Sequence, residues 1–292
     1  MISFIIPHYN SAKLLCDCLR VNLNFFEEFN AEVIIVDNNS CDADQTFIKS
    51  QVELVSNSHI KILFLEKHSG VTYSLNFGYK FARFDFIARL DSDVVIDRNV
   101  FQSLINTLKS DRTIGCVGPR IILKSTNKSQ SGVIKLGRFK NTIHETDATS
   151  QSDCIIGVLM LFKREAIESL DFWFNEKLFL WHEEEELCRR LNNRGYKCFY
   201  SPSTIVYHNH SITSGTNQHN HAIEYFKVKN MLDISLIYKD TITHLALIVL
   251  AFLSAFKRRN NGFNIYVIYA IMHHILKREN STKIWSKCLL QR

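Results

Sequence analysis

Two kinds of apolar run alternate through the first third of the chain. Runs rich in β-branched and aromatic residues predict strands, and runs with apolar residues at helical spacing predict helices. The strand-like runs are 3-SFII-6, 32-EVIIV-36, 60-IKILFL-65 and 86-FIARL-90. The helix-like runs are 11–24, 42–55 and 71–83, followed by a helix with Asp97 as its N-cap and Val100, Leu104 and Leu108 on its buried face. This order predicts an α/β fold, a Rossmann-like and mainly parallel sheet with helices on both faces.

Polar residues follow three of the predicted strands, at 7–10, 37–40 and 91–93. Sheets of this class bind ligands in the crevice outside the carboxyl ends of their strands. The three polar clusters are therefore predicted to line one crevice.

The third cluster places Asp91 and Asp93 in the middle of the otherwise apolar stretch 86-FIARLDSDVVI-96. Buried acids are costly unless a cation, an ion pair or water compensates them. Two acids two residues apart can point to one side, which suits a hard divalent cation such as Mn²⁺ or Mg²⁺. The alternative is a pair of aspartates that only caps the chain where the strand ends.

A second acidic stretch, 181-WHEEEELCRRLNNRG-195, has helical periodicity. Its apolar stripe is formed by Leu187, Cys188 and Leu191. A helical plot puts Glu184 near the middle of that stripe and Glu183 at its edge. Glu185 and Glu186 are predicted to face solvent and to pair with the arginines four positions later. Glu184 is then either a general base turned toward a cleft or a charge that stabilises the helix N-terminus.

Composition excludes several classes of protein. The eight cysteines are scattered with no C-x-x-C pair, which argues against a zinc site or disulfide framework and fits a reducing compartment. Of the 35 Lys and Arg residues, eleven lie in 227–292 with only three of the 29 acids, which leaves 24 basic and 26 acidic residues before them. A near-neutral main domain disfavours nucleic-acid binding, and the basic tail favours an anionic partner.

The composition changes after about Tyr225, which predicts a domain at 1–225 and a helical, basic segment at 226–292. Two apolar runs, 242–256 and 263–276, flank the basic stretch 257-KRRNNG-262. Each run is shorter than the roughly 20 residues that span a bilayer. The pattern predicts a hairpin lying on an anionic membrane leaflet, and the alternative is a helical hairpin packed on the protein or across a dimer.

Seven motifs in order make residues 3 to about 215 resemble the family 2 glycosyltransferases of the GT-A fold. They are 3-SFIIPHYN-10, 33-VIIVDNNS-40, 68-HSGVTYSLNFG-78, 90-LDSD-93, 154-CIIGVLMLFKREAI-167, 178-LFLWHEEEEL-187 and 202-PSTIVYH-208. The resemblance is greatest to the small, non-processive rhamnosyltransferase-like enzymes of bacterial surface polysaccharide synthesis. No Q-x-x-R-W stretch follows the acidic helix, where 188-CRRLNNRG-195 stands instead, and this disfavours a processive synthase.

The resemblance implies a role for each matching residue. The nucleotide-sugar donor, a UDP- or dTDP-sugar, would be bound by Pro7, Tyr9, Asn10, Asp37, Asn76, Arg89 and Asp91. Asp93 and His208 would hold the divalent cation. The family's base belongs to a Glu-Asp pair, and Glu184 takes the place of the aspartate, so Glu183 is the second candidate. His68 stands where relatives commonly carry Asn, and no role is predicted for it.

The implied reaction inverts the anomeric carbon of a hexosyl or deoxyhexosyl group. Glu184 would deprotonate an acceptor hydroxyl, and the cation would stabilise the departing diphosphate. The expected acceptor is a lipid-linked glycan, and the expected location is the cytoplasm, peripheral on the inner face of the cell membrane. Two rivals stay open: a GT-A-like binding module without activity, and a sugar nucleotidyltransferase, whose Gly-rich loop is missing from 7-PHYNSAKLL-15.

Overall fold

The computed structural model describes residues 1–55, 59–209, 217–256 and 264–277. The strands are β1 Ile2–His8, β2 Glu32–Asp37, β3 Ile60–Phe64, β4 Phe86–Leu90, β5 Val94–Ile96, β6 Ile114–Leu123, β7 Lys128–Ser129, β8 Val133–Lys135, β9 Thr142–His144, β10 Ser150–Ser152, β11 Leu159–Lys163 and β12 Lys197–His208. The helices are α1 Ala12–Glu28, α2 Asp42–Val55, α3 Val71–Tyr79, α4 Arg98–Ser110, α5 Arg164–Glu168, α6 Glu183–Asn193, α7 Asn217–Tyr238, α8 Thr241–Ala255 and α9 Ile265–Ile275.

One large sheet runs in the order β10-β12-β6-β11-β4-β1-β2-β3. The half formed by β4, β1, β2 and β3 is parallel, as predicted. The other half is mixed, because β11 runs antiparallel to both β4 and β6. The short strands β8 and β9 pair only with each other and form a separate hairpin.

The sheet separates two apolar cores. Phe4 and Ile6 of β1 face a core shared with α1 and α4, whereas Ile5 faces a core shared with α3 and α6. Alternate residues of a strand point to opposite faces, so β1 contributes to both layers. The predicted α/β fold with helices on both faces is confirmed. Leu104 and Leu108 are buried as expected, whereas the side chain of Val100 lies outside the described residues.

Helices α7, α8 and α9 form a C-terminal helical unit. Its interior includes Leu232 of α7, Leu247 of α8 and Ile271 of α9. Helix α7 also packs on the main domain, where the ring of Phe226 stacks on that of Phe179 with centroids 4.9 Å apart. The predicted boundary after Tyr225 therefore falls inside a continuous helix. Within the described ranges, no helix combines the length and apolar character needed to cross a bilayer.

Helix α3 approaches the sheet closely at Gly78. A Cβ atom there would lie 2.6 Å from Cγ2 of Ile5 and 2.9 Å from Cγ2 of Val36. We expect Gly78→Ala to destabilise the fold by about 1–3 kcal/mol, because overpacking outweighs the better helix propensity of alanine. Urea unfolding followed by circular dichroism measures this. Lys80→Ala, at an exposed position two residues later, is the control and should change stability by at most about 0.5 kcal/mol. Equal stabilities for the two variants would show that the helix can move off the sheet without cost.

Candidate active site

The loops after β1 and β2 are joined through Asn10. Its backbone N–H donates to Oγ of Ser40 at 2.9 Å, and its Oδ1 accepts from the N–H of Cys41 at 2.9 Å. Asn10 has φ = 47°, a left-handed conformation in which asparagine is enriched. The last residues of the two strands, His8 and Asp37, are partners in the parallel register. The polar clusters at 7–10 and 37–40 are thus brought together, as predicted, into one wall.

Asp37 lies in this wall, and one of its two carboxylate oxygens makes no hydrogen bond within the described residues. Its side chain is fully buried, and Oδ1 accepts from the N–H of Ser40 and from Nε2 of Gln45, both at 3.0 Å. Oδ2 makes no hydrogen bond with the described residues, and its distance from Nε2 of His8 is 3.9 Å. Because buried polar atoms are nearly always hydrogen-bonded, this oxygen marks a place where a ligand can donate.

Tyr9 and His68 line the adjoining part of the wall, and Pro7 lies half-buried two residues before Tyr9. The rings of Tyr9 and His68 meet edge to face with centroids 4.2 Å apart, and His68 lies 5.1 Å from Phe179. Burial lowers the pKa of His68 to about 4, so its imidazole is neutral at physiological pH. No role was predicted for His68, yet the structure places it in direct contact with a predicted donor-binding residue.

Arg89 connects the sheet to the acidic helix. Its buried guanidinium lies 3.5 Å from Oδ1 of Asp91 and 3.1 Å from Oε1 of Glu183. Burial opposes the charge, but Asp91, Glu183 and Glu184 together raise the pKa of Arg89. Burial in turn raises the pKa of Asp91 to about 6 and, with the charge of Glu184, that of Glu183 to about 7. The predicted donor residues Arg89 and Asp91 and the candidate base Glu183 therefore form one coupled cluster.

Asp93 and His208 meet at the next position along the same edge. Nε2 of His208 lies 3.2 Å from Oδ1 of the buried Asp93, and Nδ1 lies 3.3 Å from Oε1 of Gln130. Burial would lower the pKa of His208, but the hydrogen bond to Asp93 and the charges of Asp93 and Asp91 raise it. A carboxylate and an imidazole whose second nitrogen is held by a polar partner are a donor set that fits a divalent cation.

The two candidate bases have different environments at the start of α6. Glu183 is buried, and its Oε2 has no hydrogen-bond partner among the described residues. Glu184 is half-buried, and its Oε1 accepts from the N–H of Gly157 at 3.3 Å. A Cβ atom at Gly157 would lie 2.5 Å from Cζ of Arg89. The sequence predicted no role for Gly157, and the structure shows that it makes room for Arg89 and also contacts Glu184.

The prediction that Glu185 and Glu186 face solvent is wrong, although their pairing with arginines is confirmed. Both side chains are buried, and they bind Arg189 at 3.0 Å and Arg190 at 2.8 Å. The reason is tertiary. Asn141 of the β8–β9 hairpin donates to Glu185 at 3.0 Å, and Tyr238 of α7 reaches Glu186 at 3.5 Å, so two other elements cover this face of the helix.

Asn76 makes contacts other than the predicted one. Its Nδ2 donates to the carbonyl of Phe174 at 2.8 Å and to Oε1 of Glu176 at 2.9 Å, and its Oδ1 accepts from the N–H of Phe174 at 2.9 Å. The amide therefore holds the 174–176 loop against α3. Its predicted contact with the donor stays a prediction.

Another group of possible metal ligands lies beneath the wall. Within the described part of the chain, ligand atoms of His8, Asp37 and Asp44 lie within 4.8 Å of one another. Nε2 of His8 already binds Oδ2 of Asp44 at 2.7 Å, and Oδ1 of Asp44 accepts from the N–H of Ala12 at 3.0 Å. These hydrogen bonds fix the N-terminal end of α1 to α2, which explains His8 and Asp44 without a cation.

Solved structures of other proteins share this fold. A mannosyltransferase, PcManGT from Pyrobaculum calidifontis in complex with GDP-Man and Mn²⁺, matches with a TM-score of 0.61 at 16% identity, covering 95% of this chain and 88% of that one. GalNAc-T7 with UDP, GalNAc and Mn²⁺ matches with a TM-score of 0.63 at 16% identity, covering 95% and 57%. At such low identity these likenesses confirm the fold, which is that of the GT-A glycosyltransferases.

Sequence comparison identifies the family. The poly-β-1,6-N-acetyl-D-glucosamine synthase of Staphylococcus aureus (strain COL) is 26% identical over 209 residues, which cover 70% of this chain, and the corresponding synthase of Staphylococcus epidermidis is 27% identical over 209 residues. The chain spans about half the length of these relatives, since the matches cover 49% of each. The sequence model described as glycosyl transferase family 2 matches residues 3–171. Because this match covers more than half of the 292 residues, the chain belongs to glycosyltransferase family 2.

Proposed function

We propose that this protein is an inverting, metal-dependent glycosyltransferase that transfers one hexosyl or deoxyhexosyl group from a nucleotide sugar to a lipid-linked glycan. The observation that carries the proposal is the placement of Asp37, the Asp93–His208 pair and Glu184 along one edge of the sheet in a family 2 member. Relatives named as polysaccharide synthases support a role in bacterial surface polysaccharide synthesis, of which the rhamnosyltransferase-like enzymes are one class. Formation of a glycosylated product from a nucleotide sugar tests it, and a binding module without activity would form none.

Oδ2 of Asp37, which makes no hydrogen bond with the described residues, supports a UDP- or dTDP-sugar as the donor. Uracil and thymine present one N–H donor on the edge that a carboxylate can reach, whereas guanine presents two such donors side by side. Oδ1 is already occupied by Ser40 and Gln45, so a single acceptor is left. Tyr9 and the neutral His68 add apolar ring surface next to it.

Asp93 and His208 would hold the divalent cation, Mn²⁺ or Mg²⁺. When bound, the cation supplies charge neutralisation for the departing diphosphate. Gln130 fixes the ring of His208, and Arg89 fixes the carboxylates of Asp91 and Glu183 nearby. The protein therefore holds these groups in place before a donor arrives, which is the condition for electrostatic catalysis.

Glu184 is the group that removes the proton from the acceptor hydroxyl. Glu183 is buried and bound to Arg89, whereas Glu184 is half-buried and bound by a single backbone N–H. A general base must reach the proton it removes, and the accessible carboxylate is the one that can. Glu183 then acts on the reaction through Arg89.

The first of two predictions for this site compares the two glutamates. Glu184→Gln should lower kcat about 10²–10⁴-fold, the usual cost of losing a general base, and leave nucleotide binding unchanged. Glu183→Gln keeps an oxygen for Arg89 and should be milder. Steady-state kinetics and calorimetric UDP binding, measured for both variants, check this. If Glu183→Gln is the inactive variant and Glu184→Gln turns over normally, the base is Glu183.

The second prediction concerns the cation. Asp93→Ala should remove the part of UDP or dTDP binding that depends on Mn²⁺ and abolish transfer, since the carboxylate and His208 form one donor set. Thermal stabilisation by each nucleotide, with and without Mn²⁺, measures this. GDP serves as the comparison nucleotide and should stabilise the protein less than UDP. Full transfer activity of the wild-type protein in excess EDTA would rule out metal dependence.

The α8–α9 hairpin offers a surface for a membrane. Helix α8 exposes one apolar stripe and α9 another, while their opposite stripes pack inside the C-terminal unit. The exposed residues are Ile242, Leu245, Val249, Leu250, Phe252, Leu253 and Phe256 of the first run and Ile265, Tyr269, Met272, Ile275 and Leu276 of the second. Apolar patches of this extent mark interaction sites. The basic residues 257–259 lie outside the described residues, but their charge in the sequence favours an anionic lipid surface.

We propose that this face lies on the inner leaflet of the cell membrane, where a lipid-linked acceptor would be found. Ile242, Val249 and Leu253, changed together to Ser, should abolish co-sedimentation with phosphatidylglycerol vesicles without unfolding the protein, because all three are exposed. Val21→Ser, at a similarly exposed position on α1, is the control and should bind like the wild type. The membrane proposal is overturned if the wild-type protein does not co-sediment with these vesicles at low salt, or if it buries this face in a dimer.

A further inference from the structure

The turn that precedes Glu183 and Glu184 has an unusual backbone. Trp181 and His182 are consecutive and have φ = 72° and φ = 64°. Bulky residues rarely adopt the left-handed region, and such conformations persist only where the surroundings hold them. Most other residues with positive φ in the described ranges, glycines apart, are asparagines, which tolerate it. The backbone immediately before Glu183 is therefore held in place by something outside the turn.

Asn230 of α7 holds it. Its Nδ2 donates to the carbonyl of Leu180 at 2.8 Å and to the carbonyl of Trp181 at 2.9 Å, and the residue is fully buried. Rotating the amide by 180° would place its oxygen against both carbonyls, so the contacts themselves fix its orientation. Both hydrogens of the amide are thus used on two successive carbonyls of the turn.

Two neighbours of Asn230 on α7 bind the same segment. The ring of Phe226 stacks on that of Phe179 at 4.9 Å, and Nζ of Lys227 lies 4.2 Å from the ring centroid of Trp181. Residues 226 and 230 share one face of the helix because they are four apart. Three residues of helix α7 therefore contact the 179–181 segment.

Helix α6 has no side-chain cap that would fix its start independently. His182 occupies the N-cap position but makes no capping hydrogen bond with its side chain. The direction in which Glu183 and Glu184 leave the helix is then set by the turn before them. Resting on the proposed function, we propose that Asn230 is a positioning residue for these carboxylates, so that α7 completes the active site.

Neither aspartate nor alanine can make the two hydrogen bonds that Asn230 donates. Aspartate has nearly the same shape, but it would set carboxylate oxygens against two carbonyl oxygens. Alanine removes both hydrogen bonds and leaves the carbonyls of Leu180 and Trp181 without this donor. Asn230→Asp should therefore disturb the turn at least as strongly as Asn230→Ala.

The experiment uses the full-length protein and two independent readouts. Hydrogen–deuterium exchange of residues 180–186 reports on the turn whether or not a reaction is measured. It should become faster in both Asn230 variants. With the nucleotide sugar for which the wild type forms product, kcat should fall about 10–100-fold, since small displacements of catalytic groups cost about that much. The affinity for UDP with Mn²⁺ should change less than twofold, which separates positioning from general loss of structure.

Ser235→Ala is the matched control on the same helix. Ser235 is also buried and hydrogen-bonded, but its partners are Leu232 and His244 rather than the turn. It should leave the exchange of residues 180–186 and kcat unchanged, even if the melting temperature falls. The proposal is overturned if Asn230→Ala has the same exchange rates and kcat as the wild type. It is also overturned if Ser235→Ala loses as much kcat as Asn230→Ala. If exchange is faster in the Asn230 variants but the wild type transfers no sugar, the result would support the role of Asn230 in holding the turn and would refute the proposed function.

Discussion

The guanidinium group of Arg89 joins the two halves of the candidate active site. It lies on the central strand β4 and binds Asp91 from the sheet edge and Glu183 from α6, 94 residues further along the chain. Arg89 and Glu183 are both buried, and breaking a buried ion pair by removing one partner is strongly destabilising. The room for the guanidinium is made by Gly157, where a side chain would collide with it. The relative placement of sheet and helix at this edge depends on that contact.

The same contact makes two adjacent glutamates chemically different. Glu183 is enclosed with Arg89, and burial and its neighbour Glu184 raise its pKa to about 7. Glu184, one residue later, is half-buried and held by the N–H of Gly157. Enzymes that use two carboxylates commonly assign them different roles through their environments. Here Arg89 holds Glu183 in a buried ion pair, whereas Glu184 is only half-buried.

Local patterns were enough to predict the parallel half of the sheet, its helices and the convergence of three polar loops. They fail where distant parts of the chain meet. The helical plot of α6 identified the buried stripe of Leu187, Cys188 and Leu191, but it assigned Glu185 and Glu186 to solvent. Nothing in the helix itself indicates that the β8–β9 hairpin and α7 cover that face. The Arg89–Glu183 pair and the antiparallel strand β11 are likewise long-range features that periodicity does not reveal.

The composition change near Tyr225 predicted a helical, basic segment from residue 226, and helix α7, which crosses that boundary, lies between the apolar hairpin and the candidate active site. Two polar contacts fix the hairpin to α7, because Asp233 binds His274 at 2.5 Å and Ser235 binds His244 at 2.8 Å. Lys229, also on α7, binds Asp233 at 2.7 Å. Hydrogen-bonded networks of this kind fix the orientation of packed elements, because a shifted arrangement would leave polar groups unpaired. Phe226, Lys227 and Asn230 of the same helix contact the segment before Glu183. The proposed membrane face of α8 and α9 and the turn before the proposed base are therefore both held by α7, so this helix would set the height at which an acceptor at the lipid surface meets Glu184.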